Sequence, residues 1–466
     1  MLYCFTEGHY AQKIIINEGG SMRCQRLLLV IIAGFIAGCS NNPVSQNDNS
    51  TDKPKFAVAK SEFASRVAVS PTDSRIATQA ASNNEFAVKM YAQLVSGDEK
   101  DNNIFFSPFS IVSALGMAGA GAKGLTDEQI RAALEVSLPG DDFHAALNGI
   151  DQSIESHASS VENLQINNVN SIWAQKGEGF KLKIGYLDRL ATHYDAGVNL
   201  LDFITEPEPS RIIINDWVSE QTKDRINDLI PAGGITSLTR VVLTNAIYFL
   251  ADWKVKFDAS KTEQKTFTRK DGSGVTVPMM TLEDINSEPG NALKLLYGRV
   301  DSVRILELPY CGDRLVMDFL LPDPGAFDYF ESKLTKQAVE ELVKSLDSVS
   351  LPPVRIPRFE FTSGSISLKD AFLALGMEVP FSSMEADFSG MSDTYLYIGD
   401  IVHKAFIKID ENGTEAAAAT AVLMEATSVS APKIFVADRP FVYLIRDTQT
   451  NTILFMGRVL DPSITE

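Results

Sequence analysis

Glu-Asn-Gly-Thr-Glu-Ala-Ala-Ala-Ala-Thr-Ala, residues 411–421, offers almost nothing but small side chains directly after a predicted strand. That strand is Val402–Asp410, in which apolar residues alternate with two lysines at the period of two typical of a β-strand. Gly413 can reverse or hinge the chain, because glycine adopts backbone angles that other residues avoid. The segment that follows is therefore a candidate for entering a sheet as an additional strand.

An extended conformation of residues 414–426 would leave one face without charge and put Glu415 and Glu425 on the other. A sheet could take such a segment between two strands while both carboxylates stay in water. A short surface helix capped by Thr414 is the alternative, and four consecutive alanines favour it locally. The flanking sequence favours the strand.

The run from His403 to Thr420 resembles the hinge of the serpin family, and further blocks resemble serpin motifs in the family's order. These blocks are Asn103-Ile-Phe-Phe-Ser-Pro-Phe-Ser-Ile, Gly121-Ala-Lys-Gly-Leu-Thr, Asn245-Ala-Ile-Tyr-Phe-Leu-Ala-Asp-Trp, Leu306-Glu-Leu-Pro-Tyr, Ala386-Asp-Phe-Ser-Gly-Met-Ser and Phe435-Val-Ala-Asp-Arg-Pro-Phe-Val-Tyr-Leu-Ile. The resemblance covers residues 79–466, which we expect to form a single domain.

The resemblance implies an α+β serpin fold with three β-sheets, about nine helices and an exposed reactive-centre loop. It also implies a suicide-substrate inhibitor of serine proteases. The protease cleaves the loop and forms an acyl-enzyme, and the freed hinge then inserts into the main sheet and distorts the trapped protease. The hinge residues implied are Glu411, Gly413, Thr414, Ala416, Ala418 and Thr420.

Counting from Gly413 as in the family places the reactive bond between Thr427 and Ser428, preceded by the loop residues Met424, Glu425 and Ala426. A small uncharged residue before the bond suits an elastase-like or subtilisin-like protease. A bond a few residues away would make Met424 the specificity residue and suit a chymotrypsin-like one. A papain-like cysteine protease is a further candidate target.

The resemblance also implies residues that control the opening of the main sheet. Ser107, Ser110, Asn245 and His403 match a polar cluster that serpins bury beneath the main sheet. Trp253, Glu411 and Arg358 match the region where the hinge first enters, and we expect Glu411 to pair with Arg358. Ordinary support of the core is the alternative role for all seven.

An enzyme is not expected. Gly119-Ala-Gly-Ala-Lys-Gly124 fits a dinucleotide-binding pattern but follows a predicted helix rather than a strand, and no HExxH or GxSxG motif occurs. We therefore predict no cofactor and no metal. The alternative within the family is a non-inhibitory serpin acting as a binding or chaperone protein. Such serpins usually have bulky, charged or proline residues in the hinge, which this chain lacks.

The N-terminus resembles a bacterial lipoprotein signal peptide. A basic start at Met22 precedes an apolar run that is too short to span a bilayer, and Ile36-Ala-Gly-Cys39 resembles a lipobox. We expect residues 1–38 to be removed, Cys39 to be lipidated and residues 39–78 to form a disordered tether. The protein would then be exported and lipid-anchored in the cell envelope, at the outer membrane or cell surface, with Cys311 as its one free thiol.

The formal charge of −18 argues against nucleic acid or an anionic membrane surface as a partner. The expected partners are a target serine protease, in a covalent acyl complex, and the membrane through the N-terminal lipid. We expect a monomer.

Local patterns predict several elements. Ser107-Pro108 is typical of a helix N-cap and first position, and Thr126–Gln129 and Ser367–Asp370 have the character of capping boxes. Strands are predicted at 164–174, 240–249, 303–308, 315–321, 354–361, 434–445 and 452–458, the last two buried on both faces.

Overall fold

The protein is represented by a computed structural model. It describes residues 56–465 except 98, 178, 283–294, 350–353 and 415–434, together with two short strands nearer the N-terminus. The chain divides into two compact units, Met1–Lys53 and Pro54–Glu466. In the first unit, β1 (Gln12–Ile14) and β2 (Cys24–Arg26) pair antiparallel.

The described part of the second unit contains nine α-helices. They are α1 (Ser74–Ser96), α2 (Pro108–Gly119), α3 (Gly124–Ala133), α4 (Gly140–Ala158), α5 (Ile184–Tyr194), α6 (Pro207–Gln221), α7 (Phe327–Ser332), α8 (Lys336–Lys344) and α9 (Lys369–Ala374). No helix in this part of the chain is both long and apolar enough to cross a membrane.

Three sheets accompany these helices. The main, eight-stranded sheet comprises β3 (Ala57–Ala59), β5 (Gln165–Gln175), β6 (Val198–Leu201), β7 (Val241–Asp252), β15 (Phe359–Thr362), β16 (Ile366–Ser367), β17 (Val402–Ile409) and β18 (Gly413–Thr414). The seven-stranded sheet comprises β4 (Ile104–Phe106), β10 (Leu295–Val300), β11 (Val303–Pro309), β12 (Leu315–Pro322), β13 (Asp347–Val349), β20 (Phe441–Asp447) and β21 (Thr452–Val459). The four-stranded sheet comprises β8 (Glu263–Thr268), β9 (Gly274–Leu282), β14 (Val354–Pro357) and β19 (Phe435–Val436).

Helix α2 joins the two larger sheets. Every residue of α2 is buried, and the helix packs against β5 and β7 of the main sheet and β21 of the seven-stranded sheet. Strands β20 and β21 are buried along their whole length, as predicted for strands covered on both faces. Ser107 is the N-cap of α2 and Pro108 its first residue, which confirms that prediction. The predicted α+β class, with three sheets and nine helices in the described part of the second unit, is likewise confirmed.

Two predicted strands are each divided. Residues 354–361 form β14 and β15 in different sheets. The N–H of Arg358, between them, still donates to the Pro278 carbonyl of β9 at 2.8 Å, and from Phe359 onward the chain pairs with β17 instead. Residues 434–445 form β19 and β20, with Pro440 lying between them. Proline has no N–H to donate to a ladder, which fits an interruption there.

Both capping-box predictions are wrong. Helix α3 begins at Gly124, and the buried Thr126 hydroxyl accepts the N–H of Asp387 at 2.8 Å, so it holds a neighbouring loop rather than its own helix. Helix α9 has Leu368 as its N-cap, while the Ser367 hydroxyl donates to Asp400 at 2.7 Å.

The predicted tether is ordered from residue 56 onward, which corrects its boundary at residue 78. Strand β3 adds to the outer edge of the main sheet by pairing with β6, and Phe56 packs edge-on against Trp173 at 4.8 Å. Arg66 then donates to Asn148, Asp151 and Glu155 at 2.6 to 2.8 Å. These ladder bonds and ion pairs order a segment whose polar composition predicted disorder.

Candidate functional site

The main sheet has a slot between β17 and β7. At one end the two strands pair directly and in parallel, from Val402 opposite Thr244 to Ala405 opposite Ile247. Toward the other end β18 lies between them, with Thr414 paired to both Ile409 and Ala251. The first two residues of the predicted hinge strand thus already form part of the sheet.

Gly413 is required where β18 begins. Its φ is +157°, and a Cβ built at this position would lie 2.0 Å from the carbonyl oxygen of Ala251. The close approach of two backbones therefore excludes any side chain here.

Thr414 is buried, with 1 % of its surface exposed. Its hydroxyl is 2.8 Å from the hydroxyl of Tyr310, and the Tyr310 ring stacks on Trp253 with centroids 4.5 Å apart. Burial raises the pKa of Tyr310 well above its usual value, although the Thr414 hydrogen bond acts in the opposite direction. Tyr310 therefore stays a neutral hydroxyl against the inserted threonine.

Glu411 anchors the chain just before the slot. Its carboxylate accepts from Arg358 Nη2 and from the Thr262 hydroxyl, both at 2.5 Å, so the predicted pair with Arg358 is present. Burial acts to raise the pKa of Glu411, but these hydrogen bonds outweigh it and leave the pKa below its usual value. The carboxylate is therefore ionised at neutral pH.

Trp253 connects this anchor with the backbone of the hinge. Its indole N–H donates to the Asp410 carbonyl at 3.0 Å, and its backbone N–H donates to the Asn412 carbonyl at 2.7 Å. We use the name hinge site for the group Trp253, Tyr310, Arg358, Glu411, Gly413 and Thr414.

A buried polar cluster lies under the paired end of β17 and β7. The N–H of Ser107 donates to His403 Nε2 at 3.3 Å, and His403 Nδ1 bonds to Asn245 Oδ1. Asn245 Nδ2 donates to the Ser110 hydroxyl at 2.7 Å and to Asn170 Oδ1 at 2.6 Å. The four predicted residues are in one hydrogen-bonded network across the main sheet and α2.

His403 is neutral within this cluster. It is fully buried, and that burial lowers its pKa to about 3 although its bond with Asn245 acts to raise it. Because Nε2 accepts the N–H of Ser107, the ring proton is assigned to Nδ1, where it is donated to Asn245.

Four partners were not predicted. The side-chain oxygens of Asn168 and Asn170 both lie within hydrogen-bond distance of the Ser110 hydroxyl, at 2.9 and 3.0 Å. Two asparagines spaced by two on a predicted strand share a face, and this pattern was visible in the sequence. Thr262 and Tyr310 reach the hinge from loops that are distant in sequence, which no local pattern predicts.

The remaining predicted site residues lie outside the described part of the chain: Cys39, Ala416, Ala418, Thr420, Met424, Glu425, Ala426, Thr427 and Ser428. Among the residues that the structure describes, no group of three or more His, Cys, Asp or Glu side chains could hold a metal ion.

Comparisons with known proteins identify the family. The family model "Serpin (serine protease inhibitor)" matches residues 81–462. An uncharacterised serpin-like protein of Thermococcus kodakarensis is 36% identical over 95% of this chain and 99% of its own. Antithrombin-III of Mus musculus is 34% identical over 84% of this chain and 83% of its own. The native-state crystal structure of the thermophilic serpin tengpin superposes with a TM-score of 0.73, at 26% identity over 85% of this chain and 97% of that one. The chain belongs to the serpin family.

Proposed function

We propose that this serpin inhibits serine proteases as a suicide substrate. The observation that carries the proposal is the slot between β17 and β7, which is closed at one end and holds Gly413 and Thr414 at the other. A strand that continued from Thr414 would pair with β17 and β7 on both sides, provided that the paired end opened.

The chemistry belongs to the protease. Its serine Oγ attacks the carbonyl carbon of Thr427, an ester forms, and the peptide bond to Ser428 breaks with a proton passing to the new amino group. The segment from Thr414 to Thr427 is then free at its far end and can enter the slot. Insertion carries the tethered protease across the domain and distorts its active site, so the ester is not hydrolysed.

Insertion is strongly favourable. Ten to fourteen new ladder hydrogen bonds at roughly 1 kcal/mol each supply on the order of 10 kcal/mol, which is comparable to the whole stability of an ordinary domain. The uncleaved fold is therefore metastable, and the polar cluster must hold the slot closed until cleavage. Its network suits that task because hydroxyl and amide groups can exchange partners when β17 and β7 separate.

The target class follows from the residue before the reactive bond. Thr427 is small and uncharged and fits an elastase-like or subtilisin-like pocket, whereas it offers no ion pair to a trypsin-like one. On this proposal the protein is an inhibitor and not an enzyme, acts without a cofactor, and works as a monomer.

We also propose that the protein is exported and lipid-anchored through Cys39. The motif at residues 36–39 supports this assignment. Metabolic labelling with a radioactive fatty acid tests it: the label is expected in the wild type and absent from Cys39→Ser. A wild type without label refutes the anchor.

The inhibitor proposal is tested by incubating the full-length protein with elastase-like, subtilisin-like, chymotrypsin-like and papain-like proteases. The expected product is a complex that survives boiling in SDS, together with a released C-terminal fragment that begins at Ser428. A matched control, Thr414→Arg, places a charge on the inserting face and is expected to be cleaved without forming the complex. Cleavage of the wild type by every protease with no complex would refute inhibition.

A further inference from the structure

A second group of buried charges lies in the seven-stranded sheet. Glu307 on β11 and Asp318 on β12 are direct cross-strand partners. Arg446 on β20 bonds to both, with Nη2 donating to Glu307 Oε2 at 2.6 Å and Nε donating to Asp318 Oδ2 at 3.0 Å. The exposed fractions of the three residues are 8 %, 0 % and 6 % respectively, so solvent screens them little.

The charges of this group do not balance. Two ionised carboxylates and one guanidinium would leave one negative charge in excess, and like charges directly opposite each other destabilise an antiparallel pair. In addition, Asp318 Oδ1 is buried and has no hydrogen-bond partner among the described residues. Buried polar atoms are almost always bonded, so Asp318 Oδ1 is an acceptor that a proton shared with Glu307 would satisfy.

Among the described residues, Arg446 is the only cation within ion-pair distance of either carboxylate. Helix α8 packs against β10 and β11, and three of its four charged residues line a cavity of about 300 Å³ together with Arg446. These charged residues are Lys336, Glu340 and Lys344, in which the two lysines lie 3.8 and 3.7 Å from the glutamate. Helix α1 and the turn after β20 contribute Asn84 and Asn451, which carry no charge.

We propose that Glu307 and Asp318 hold one proton between them, so that the seven-stranded sheet is stabilised by mild acid and loosened as the pH rises past neutrality. The proton on the Glu307 carboxyl is donated to the Asp318 carboxylate opposite it, whose Oδ1 has no other donor. Arg446 then neutralises the single remaining negative charge. The inference concerns the stability of the fold and does not depend on the inhibitory function.

The direction of the pH dependence follows from the pKa of Glu307. Burial and, to a smaller extent, the nearby Asp318 raise this pKa from 4.5 to about 7, although Arg446 acts to lower it. Since the folded value lies above the unfolded one, the folded state holds an extra proton between about pH 4.5 and 7. The stabilisation is therefore complete below the lower value and lost as the pH rises through the upper one.

Infrared spectroscopy of the full-length protein tests the shared proton directly. At pH 6 the wild type is expected to display a carbonyl band of protonated carboxyl groups, and in Asp318→Asn this band is expected to be weaker by the contribution of Glu307. Asp151, whose pKa burial raises to about 6, contributes to the band in both proteins. Bands of equal intensity in the two proteins contradict the proposal. Asp318→Leu gives the same test should the asparagine variant fail to fold. Asp447→Asn is the matched control, because Asp447 is a buried carboxylate on β20 whose partner is Arg314. Absence of the band from the wild type overturns the proposal.

Urea unfolding from pH 7.5 to 4.5 tests the consequence for stability. Relative to Asp318→Asn, the folding equilibrium constant of the wild type is expected to rise as the pH falls below 7, by at most about tenfold for each unit because burial of Glu307 remains in the variant. The comparison removes the effect of His403, which both proteins share. Parallel pH profiles for the two proteins contradict the proposal.

Discussion

Replacing Thr414 by glutamate is expected to convert the protein from an inhibitor into a substrate of its target protease. Thr414 is buried between β17 and β7, and its side chain bonds to the Tyr310 hydroxyl rather than to a cation. An ionised carboxylate cannot occupy this position without a partner. The glutamate must therefore take up a proton before the hinge can stay in the slot.

The cost of that proton sets the size of the effect. Protonating a glutamate with an ordinary pKa of about 4.3 at pH 7.4 costs about 4 kcal/mol, because each pH unit corresponds to about 1.4 kcal/mol. A barrier to insertion higher by that amount slows insertion about a thousandfold. Hydrolysis of the acyl-enzyme then competes successfully, and the cleaved protein is released. At pH 5.5 the cost falls to about 1.6 kcal/mol.

The assay measures the moles of protein consumed for each mole of protease inhibited, at pH 7.4 and pH 5.5, with the SDS-stable complex quantified in parallel. Thr414→Glu is expected to form little complex at pH 7.4 and to recover part of it at pH 5.5. Thr414→Arg is not expected to recover, because mild acid does not remove its charge. Thr414→Ser retains the hydroxyl and should behave as the wild type.

A wild-type yield of complex from Thr414→Glu at pH 7.4 would refute this reasoning. It would mean that residue 414 need not lie inside the sheet when the protease is trapped.

Three further predictions concern single positions. Because burial lowers the pKa of His403 to about 3, the unfolded chain binds a proton there that the folded state does not bind, so the contribution of His403 to the free energy of unfolding should fall by about 1.4 kcal/mol for each unit that the pH drops from 6.5 toward 3. His403→Gln should reduce this slope in urea unfolding, while His403→Ala should also raise polymerisation on native gels; unchanged slope and polymerisation would contradict the role. Gly413→Ala should expel β18, since its Cβ would meet the Ala251 carbonyl, and the fluorescence of Trp253 should shift; an unchanged spectrum would argue against it. Arg66→Ala breaks three hydrogen bonds and should lower stability by about 1–3 kcal/mol in urea, with Arg66→Lys restoring only part; a midpoint equal to wild type would mean that the N-terminal segment does not stabilise the fold.

Periodic elements were predictable because their signal is local. Strand β17 alternates as its sequence predicts, with His403, Ala405 and Ile409 buried and Lys404 and Lys408 partly exposed. Other boundaries between elements depend on contacts with residues that are distant in sequence. The division at Arg358 follows from a change of partner strand, because β14 pairs with β9 and β15 pairs with β17, and both partners are distant in sequence.

The same distinction between local patterns and distant contacts applies to the two groups of buried polar residues and to the N-terminal segment. The family motifs predicted which polar residues form the buried cluster. Which of their atoms hydrogen-bond to one another depends on how β7, β17 and α2 pack together, and no local pattern predicts that. The composition of the segment that begins at Phe56 predicted disorder, because composition does not reveal whether a sheet edge is available nearby. Strand β6 provides such an edge and pairs with β3. Asp318 was not predicted to be a special residue of its strand, because its unusual environment depends on Glu307 lying opposite it on the neighbouring strand.

The pairing of Thr414 with Ile409 and Ala251 also bears on the kinetics of trapping. Starting a new strand requires the ends of a chain segment to be brought together before any hydrogen bond rewards the lost entropy. On the proposed inhibitory mechanism, that nucleation step is complete before a protease binds, so insertion after cleavage would proceed as propagation, one residue pair at a time. The rate of trapping should therefore depend on how readily β17 and β7 separate ahead of the growing strand, and not on how long the freed segment takes to find the sheet.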